Sequence, residues 1–481
     1  MKTTHKLLFA VLVLLGAACN KQIDEIRPLT KVTVEGELAS LAGIEAATTG
    51  NYYLLSGNQG NIQDLGEDRG NNVTPQDWGP VATYTDAFFY QNSNSPALGY
   101  SYGFYQASYS QVLGINTVLD NIAVMDTVGW PADDQNNLLY SKGENLFLRA
   151  LTYFTLVRMY GKPYYLDGGA GLSIPLKKKG NITDNPPPSP AKEVYAFIIS
   201  DLQEAAQLMK APVSKTNIFA GTAAAWSLLS RVYLYMGGSI AKPDASANQL
   251  AVTYADSVVS GGKYALLQGQ AYQNMFGNDL DGSLGRANPT GNKEIIFAID
   301  NESSVYGTSI GEIYHDDPNG TGGAYFLPSS DLRAQFAAGD VRGTFFAVNP
   351  VSGFTETTKW LCLNLYYGTK APNIFFRLAE LYLNRAEANA KLGNIAAART
   401  DLKAIHTRAG LPASDIDNLA DADVITAVLK ERRLELAFEG QNSFDYFRNG
   451  LPMTRIAADY NGTPFTVLPD DPKVEFTIPT N

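Results

Sequence analysis

The stretch Glu431–Gly450, ERRLELAFEGQNSFDYFRNG, sets three arginines, four acidic residues and four aromatics within twenty positions. Such a clustering of charged and aromatic residues is what a catalytic centre looks like. Helical register gives a different reading. Ile425, Val428, Leu429, Arg432 and Leu436 share one face, and Ala427, Leu434 and Phe438 the opposite one. Apolar residues on both sides mark a helix inside the protein. Arg432 then falls in an apolar stripe, and a buried guanidinium persists only when paired and hydrogen-bonded. Glu435 stands three residues on, and Glu380 and Glu387 in the helical segment 376–392 offer further partners. Ser443 or Asp445 is placed to cap the segment after Gly440. Glu387, Arg432 and Glu435 are therefore assigned as structural braces, and no residue is assigned as catalytic.

Other reactive patterns are weaker. Gly307-Thr308-Ser309-Ile310-Gly311 is a literal G-x-S-x-G. A nucleophile elbow needs a strand before it and a helix directly after, whereas EIYHDDPNGTGG behind it is turn-rich. Of three histidines, His5 lies in the leader, His406 sits in a helical segment as a structural residue, and only His315 is left. With no H-E-x-x-H, paired CxxC or Walker sequence, neither a metal nor a nucleotide cofactor is expected. NDLDGS (278–283) is rich in oxygens but lacks EF-hand spacing and the distal Glu, so an Asx-rich turn is expected there.

Aromatic residues carry the remaining signal. Residues 78–105 hold Trp78, Tyr84, Phe88, Phe89, Tyr90, Tyr100, Tyr102, Phe104 and Tyr105, and Tyr306, Tyr314, Tyr325 and Phe326 follow in a second region. Flat rings on loops suit sugar faces, since pyranose C–H groups stack on them while Asn, Asp and Arg bind the hydroxyls. Tyr102 and Tyr105 begin a helical run and are read as packing. The ligand-binding candidates are Trp78, Tyr84, Phe89, Tyr90, Tyr306, Tyr314 and Tyr325.

Helices must position these rings. KGENLFLRALTYFTLVRMY (142–160) is apolar nearly all round and stops at Gly161 and Pro163. After NPPPSPAK, the segment 192–210 places Val194, Phe197, Ile198, Leu202, Ala205 and Leu208 at three- and four-residue steps. Trp226, Leu229, Ser230 and Tyr233 follow the rhythm of a tetratricopeptide first helix; Tyr382, Ala386, Gly393, Ala398 and Leu402 follow that of a second copy. Arg385 and Asn389 fit that copy poorly, and GSIAKPDASA interrupts the first. The segments 58–105 and 277–369 read as loop-rich apart from a short strand at EIIFAI, and loops this long in a compact domain are usually functional.

The N-terminus has the layout of a secretory leader: two lysines, the apolar run LLFAVLVLL and the small residues GAA before Cys19. Residues 1–18 are expected to be removed, leaving Cys19 as a lipidated N-terminus and 19–37 as a tether. Loss of Lys2 and Lys6 takes the net charge from −11 to −13, which disfavours nucleic acid as a partner. The other cysteine, Cys362, then has no disulfide partner, so packing must supply stability.

These segments together resemble the SusD/RagB family of nutrient-binding outer-membrane lipoproteins. ERRLELAFEGQNSFDYFRNG is similar to that family's ERRxELAFEGxRxxDLxRxG signature. RLAELYLNRAEANAKLG and GENLFLRALTYFTLVRMYGKPYY resemble two further family segments; LPSSDLRAQFAAGDVRGTFF and SYSQVLGINTVLDNI match a late loop and an early helix. The resemblance implies an all-α fold over 38–481, with about four tetratricopeptide-like helix pairs. On that reading the scaffold lies mainly in 141–262 and 374–440, and the ligand side mainly in 58–105 and 277–369. It also implies a SusC-type TonB-dependent transporter as partner, anchorage at the outer membrane and no catalysis. Oligosaccharide is the leading ligand. Peptide is an alternative, supported by the acidic loops NIQDLGED and HDDPNG; a helical glycosidase and a purely structural lipoprotein are further ones.

Overall fold

The computed structural model describes residues 34–76, 85–91, 100–276, 288–300, 309–316, 323–360 and 372–479. It is an all-α protein of packed helix pairs, with short two-stranded sheets in the connections. The longer helices are α1 (Leu41–Gln63), α2 (Tyr100–Val124), α3 (Ala132–Tyr160), α4 (Ala191–Leu208), α5 (Thr222–Met236), α6 (Ala245–Val259), α7 (Leu378–Lys391), α8 (Ile395–Arg408) and α9 (Val424–Glu435). The shorter α10 (Asn442–Arg448) follows. Successive helices pack as tetratricopeptide-like pairs, α3 on α4, α5 on α6 and α7 on α8. No helix among the described residues is long and apolar enough to cross a membrane.

α3 is the central post. It starts ten residues before the apolar run, at Ala132, where Asp133 and Asp134 suit the positive end of the helix dipole. Every side chain from Leu146 to Tyr160 is buried, as the all-round apolar sequence requires. On its flank Arg149 donates two bonds to Asp201 of α4, at 2.7 and 2.9 Å. The repeat positions behave as their sizes dictate. Ala386, Ala398 and Leu402 meet Val424 and Val428 in one cluster, and Gly393 turns the chain at φ +80°, which its lack of a Cβ allows. Arg385, a poor match to the repeat, ties α7 to Asp401 of α8 and to Asp256 of α6.

Two expectations need correction. The segment expected to be loop-rich from residue 58 begins inside α1, which continues as a π-helical turn over Asp64–Asp68. Local sequence hides this helix, which is rich in Gly, Thr and Asn. Packing on α2 and α3 holds it, through Asn51 to Asn145 (2.8 Å), Tyr52 to Glu144 (2.9 Å) and Asn58 to Ser108 (3.0 Å). A six-residue helix, Ser309–Tyr314, also forms where turn-rich sequence suggested none. Its buried Ile310 and Ile313 pull it onto the second core cluster, under the loop-rich side.

Strands β1 (Val73–Pro75), β2 (Ile295–Ile299), β3 (Phe326–Pro328) and β4 (Asn373–Arg377) form two antiparallel pairs, β1 with β3 and β2 with β4. β2 is the EIIFAI strand, buried along its length, and β4 runs directly into α7.

Candidate ligand-binding site

The stretch that invited a catalytic reading is an ion-paired block inside the protein. Arg377, at the end of β4, reaches Glu294 (3.0 Å), Glu435 (2.5 Å) and Glu439 (2.8 Å). Arg408, at the end of α8, pairs with Glu294 (2.8 Å) and Glu435 (2.5 Å). Lys359 joins Glu439 at 2.8 Å, and Arg342 joins Asp340 and Glu431, both at 2.7 Å. Burial alone raises the Glu435 pKa, but Arg408, Arg377 and Arg342 override it and hold the carboxyl well below the usual range. A carboxylate so committed has no proton to give. This block clamps helices α8 and α9 to the strands and loops of the other side.

Arg432 is fully buried at 0 % exposure. Of the expected partners it keeps only Glu380, at 3.9 Å; its nearest are new ones, Nε meeting Asp445 at 2.7 Å and Nη1 donating to Asn384 at 2.6 Å. Glu435 turns to Arg377 and Arg408 instead. Glu387 takes Arg448 through two bonds, at 2.5 and 2.6 Å, with Lys391 at 3.2 Å. Neither Ser443 nor Asp445 caps α10: the Ser443 hydroxyl donates to the Gly66 carbonyl, and Asp445 accepts from Arg432 and Arg448.

On the loop-rich side, pairing of Pro75 with Phe326 and the bond from Gln76 N to Tyr325 O (3.0 Å) set two chain ends together. Gln76 is the last described residue before 77–84, and Tyr325 and Phe326 follow shortly after 317–322. A second junction lies at Asp316 and Gly323, which form an isolated bridge. Glu356 braces it, accepting from Asp316 N (3.1 Å) and Asn349 Nδ2 (3.0 Å), with His315 Nδ1 at 3.4 Å. Beneath runs a row of rings: Phe89 edge-on to Phe88 (5.3 Å), Phe88 stacked with Tyr460 (5.7 Å), and Tyr460 stacked with Phe465 (4.5 Å). Arg455 supports this row, its guanidinium 3.6 Å from the Phe88 ring centre and donating to the carbonyls of Gly70, Phe88 and Asp68. Burial outweighs the pull of Tyr90, Tyr460 and Asp68, and Arg455 is pushed down to about 10. Glu67 bolts the layer to the C-terminal half by accepting from Phe438 N (2.8 Å) and Gly440 N (3.0 Å).

The ring candidates divide. Trp78, Tyr84 and Tyr306 lie outside the described residues, as do Cys19 and the NDLDGS stretch. Phe89 and Tyr325 are half-buried at the junctions just described. Tyr90 and Tyr314 must be corrected: at 3 % and 0 % exposure they present no face to a ligand. The Tyr90 hydroxyl donates to Arg69 O (2.6 Å) and its ring packs on Phe447 and Phe465. Tyr314 donates to Asp68 Oδ1 (3.0 Å) and lies edge-on to Phe438. Sequence reasoning missed Arg455, Tyr460 and Phe465, whose only local sign is an aromatic on each side of an Asn-Gly turn. His406 is structural in its contacts, 3.0 Å from Glu431 and 3.3 Å from Asp415. Among the described residues no group of three or more His, Cys, Asp or Glu is placed to hold a metal ion.

Comparison with known proteins adds an independent line. The SusD family model matches residues 364–478, and a model described as starch-binding and associating with the outer membrane matches 42–234. SusD-like protein P2 of Formosa agariphila is 24 % identical over 505 residues, covering 92 % of this chain and 90 % of its own. A SusD superfamily structure from Bacteroides thetaiotaomicron superposes with a TM-score of 0.76 at 24 % identity, covering 92 % of this chain and 96 % of that one. One from Bacteroides vulgatus gives 0.75 at 26 %, covering 91 % and 95 %. A SusD-like carbohydrate-binding protein from the same species gives 0.72 at 21 %, again covering 91 % and 95 %. With its signature segment buried as an ionic clamp and near-full-length likeness to these proteins, the chain belongs to the SusD/RagB family.

Proposed function

We propose that this protein captures oligosaccharide on its loop-rich side and hands it, unaltered, to a SusC-type TonB-dependent transporter. Lipid on Cys19 tethers it at the outer-membrane surface. Stacking of sugar faces on rings supplies the affinity, with Trp78, Tyr84, Phe89, Tyr306 and Tyr325 as the candidates. The observation that carries this reading is the β1–β3 pairing, which sets the flanks of 77–84 and 317–322 side by side. Family membership supports both the ligand class and the outer-membrane setting.

Calorimetry with a panel of neutral glycans tests the reading, and Trp78→Ala and Tyr306→Ala should each weaken binding about tenfold, the loss of one stacking ring being on the order of 1–2 kcal/mol. Unchanged affinity in both variants, or binding of peptides in place of glycans, would overturn the assignment. Release of new reducing ends from a bound polysaccharide at enzymatic rates would end the view that the ligand passes through intact.

A further inference from the structure

A second cleft lies on the helical scaffold. It has a volume of about 450 Å³, within the range of small-ligand sites. Its walls are the end of α4, the start of α5, the end of α6 and Tyr140 on α3. Three lysines line it, Lys210, Lys215 and Lys263, and none of its lining residues is acidic, although the chain as a whole is strongly acidic.

Carboxylates around the cleft are already committed. Glu144 pairs with Lys215 at 2.5 Å, Glu204 with Lys142 at 2.6 Å, and Asp256 with Arg385. Lys210 and Lys263 are exposed and have no carboxylate partner among the described residues; Lys210 donates only to Gln207, at 2.8 Å. Both ammonium groups are held over rings, Lys210 5.9 Å from the centre of Trp226 and Lys263 5.4 Å from that of Tyr264. Trp226 and Tyr264 are themselves half-buried cleft residues. The hydroxyls of Ser214, Thr222 and Ser257 complete the lining. The first turn of α5 has no side-chain cap, so its positive end adds to the potential of the lysines.

From this we propose a second ligand site, taking a saccharide that carries an anionic group, either a carboxylate or a sulfate ester. Lys210 and Lys263 neutralise the anion, the rings offer apolar surface to the sugar's C–H faces, and the hydroxyls meet its own. Its lining shares no residue with the neutral-glycan candidates on the loops.

Calorimetry on the mature chain with tetragalacturonate, its fully methyl-esterified counterpart and a sulfated galactan tetrasaccharide tests the proposal. The acid, the sulfated sugar or both should bind, the ester should not, and affinity should fall as NaCl rises. K210E/K263E, at exposed positions, should weaken that binding by roughly tenfold or more while leaving the melting temperature and any neutral-glycan binding unchanged. Tyr264→Ala should weaken it less. Absence of binding, equal binding of acid and ester, or indifference to K210E/K263E would overturn the assignment. So would tighter binding of inorganic sulfate or of a glutamate-rich peptide than of either sugar.

Discussion

Around Glu435 the buried guanidiniums meet carboxylates; around Arg455 they meet carbonyl oxygens and the faces of rings. Arg377 and Arg455 are each 1 % exposed, so burial does not distinguish them. Their partners do. Burial acts to lower both pKa values, yet Glu439, Glu435 and Glu294 carry Arg377 well above the ordinary arginine value, while Arg455 falls to about 10. Arg69 follows Arg455: it lies over Tyr90 and Phe476, at 4.5 and 4.4 Å, and donates to the carbonyls of Val474 and Lys473. The first arrangement is a clamp between scaffold and strands, where each charge depends on its opposite. The second supports the row of rings under the loop-rich side with no carboxylate in ion-pair contact among the described residues.

Breaking the clamp should have the larger effect. Glu435→Gln leaves Arg377 and Arg408 short of a negative partner, and loss of one member of a buried pair costs about 3–5 kcal/mol. A drop in the urea midpoint would report it, and adding Arg408→Met should recover part of the loss, a coupling that a double-mutant cycle measures. Arg455→Met should cost less, about 1–2 kcal/mol, because it strands carbonyl acceptors but also removes an uncompensated charge. Its clearer effect should be weaker glycan binding as Phe88 and Phe89 lose their support. Equal destabilisation by both variants would erase the contrast between the regions.

The smallest effect should be a pH dependence confined to the clamp. The hydrogen bond that His406 makes to Glu431 raises its pKa, with burial opposing it. A base raised on folding contributes stability that is complete below its unfolded value, about 6.5, and is lost as pH rises through the folded value. Denaturation midpoints should therefore fall over that window in the parent chain. His406→Gln should flatten the slope, and Arg455→Met should leave it intact.

Much of the scaffold was legible because periodicity reports burial. Helices α3 and α4, the small residues Ala386 and Ala398, the strand at EIIFAI and the buried position of Arg432 all follow from spacing. Partner choice was not legible. Arg432 took Asp445 rather than Glu435, since which carboxylate lies nearest depends on how α9, α10 and β4 cross, not on residue spacing within one helix. α1 was hidden for the same reason: its Gly, Thr and Asn residues are poor helix formers, and contacts with α2 and α3 hold it. For the candidate site, Tyr90 and Tyr314 are candidates because they lie in segments whose composition reads as loop-rich. Both instead anchor to the turn at Asp68 and Arg69, a contact that Tyr314 makes from 246 residues away.

The bolt at Glu67 has a consequence for biogenesis. Its acceptors receive from backbone 371 and 373 residues further on, and Arg69 reaches 405 residues to Val474. A polypeptide emerging N-terminus first cannot close this joint until nearly the whole chain is through, and such long-range closures are slow to form. Phe88, Tyr460 and Phe465 would wait for that joint until synthesis is almost complete, the interval in which a holding chaperone would matter most.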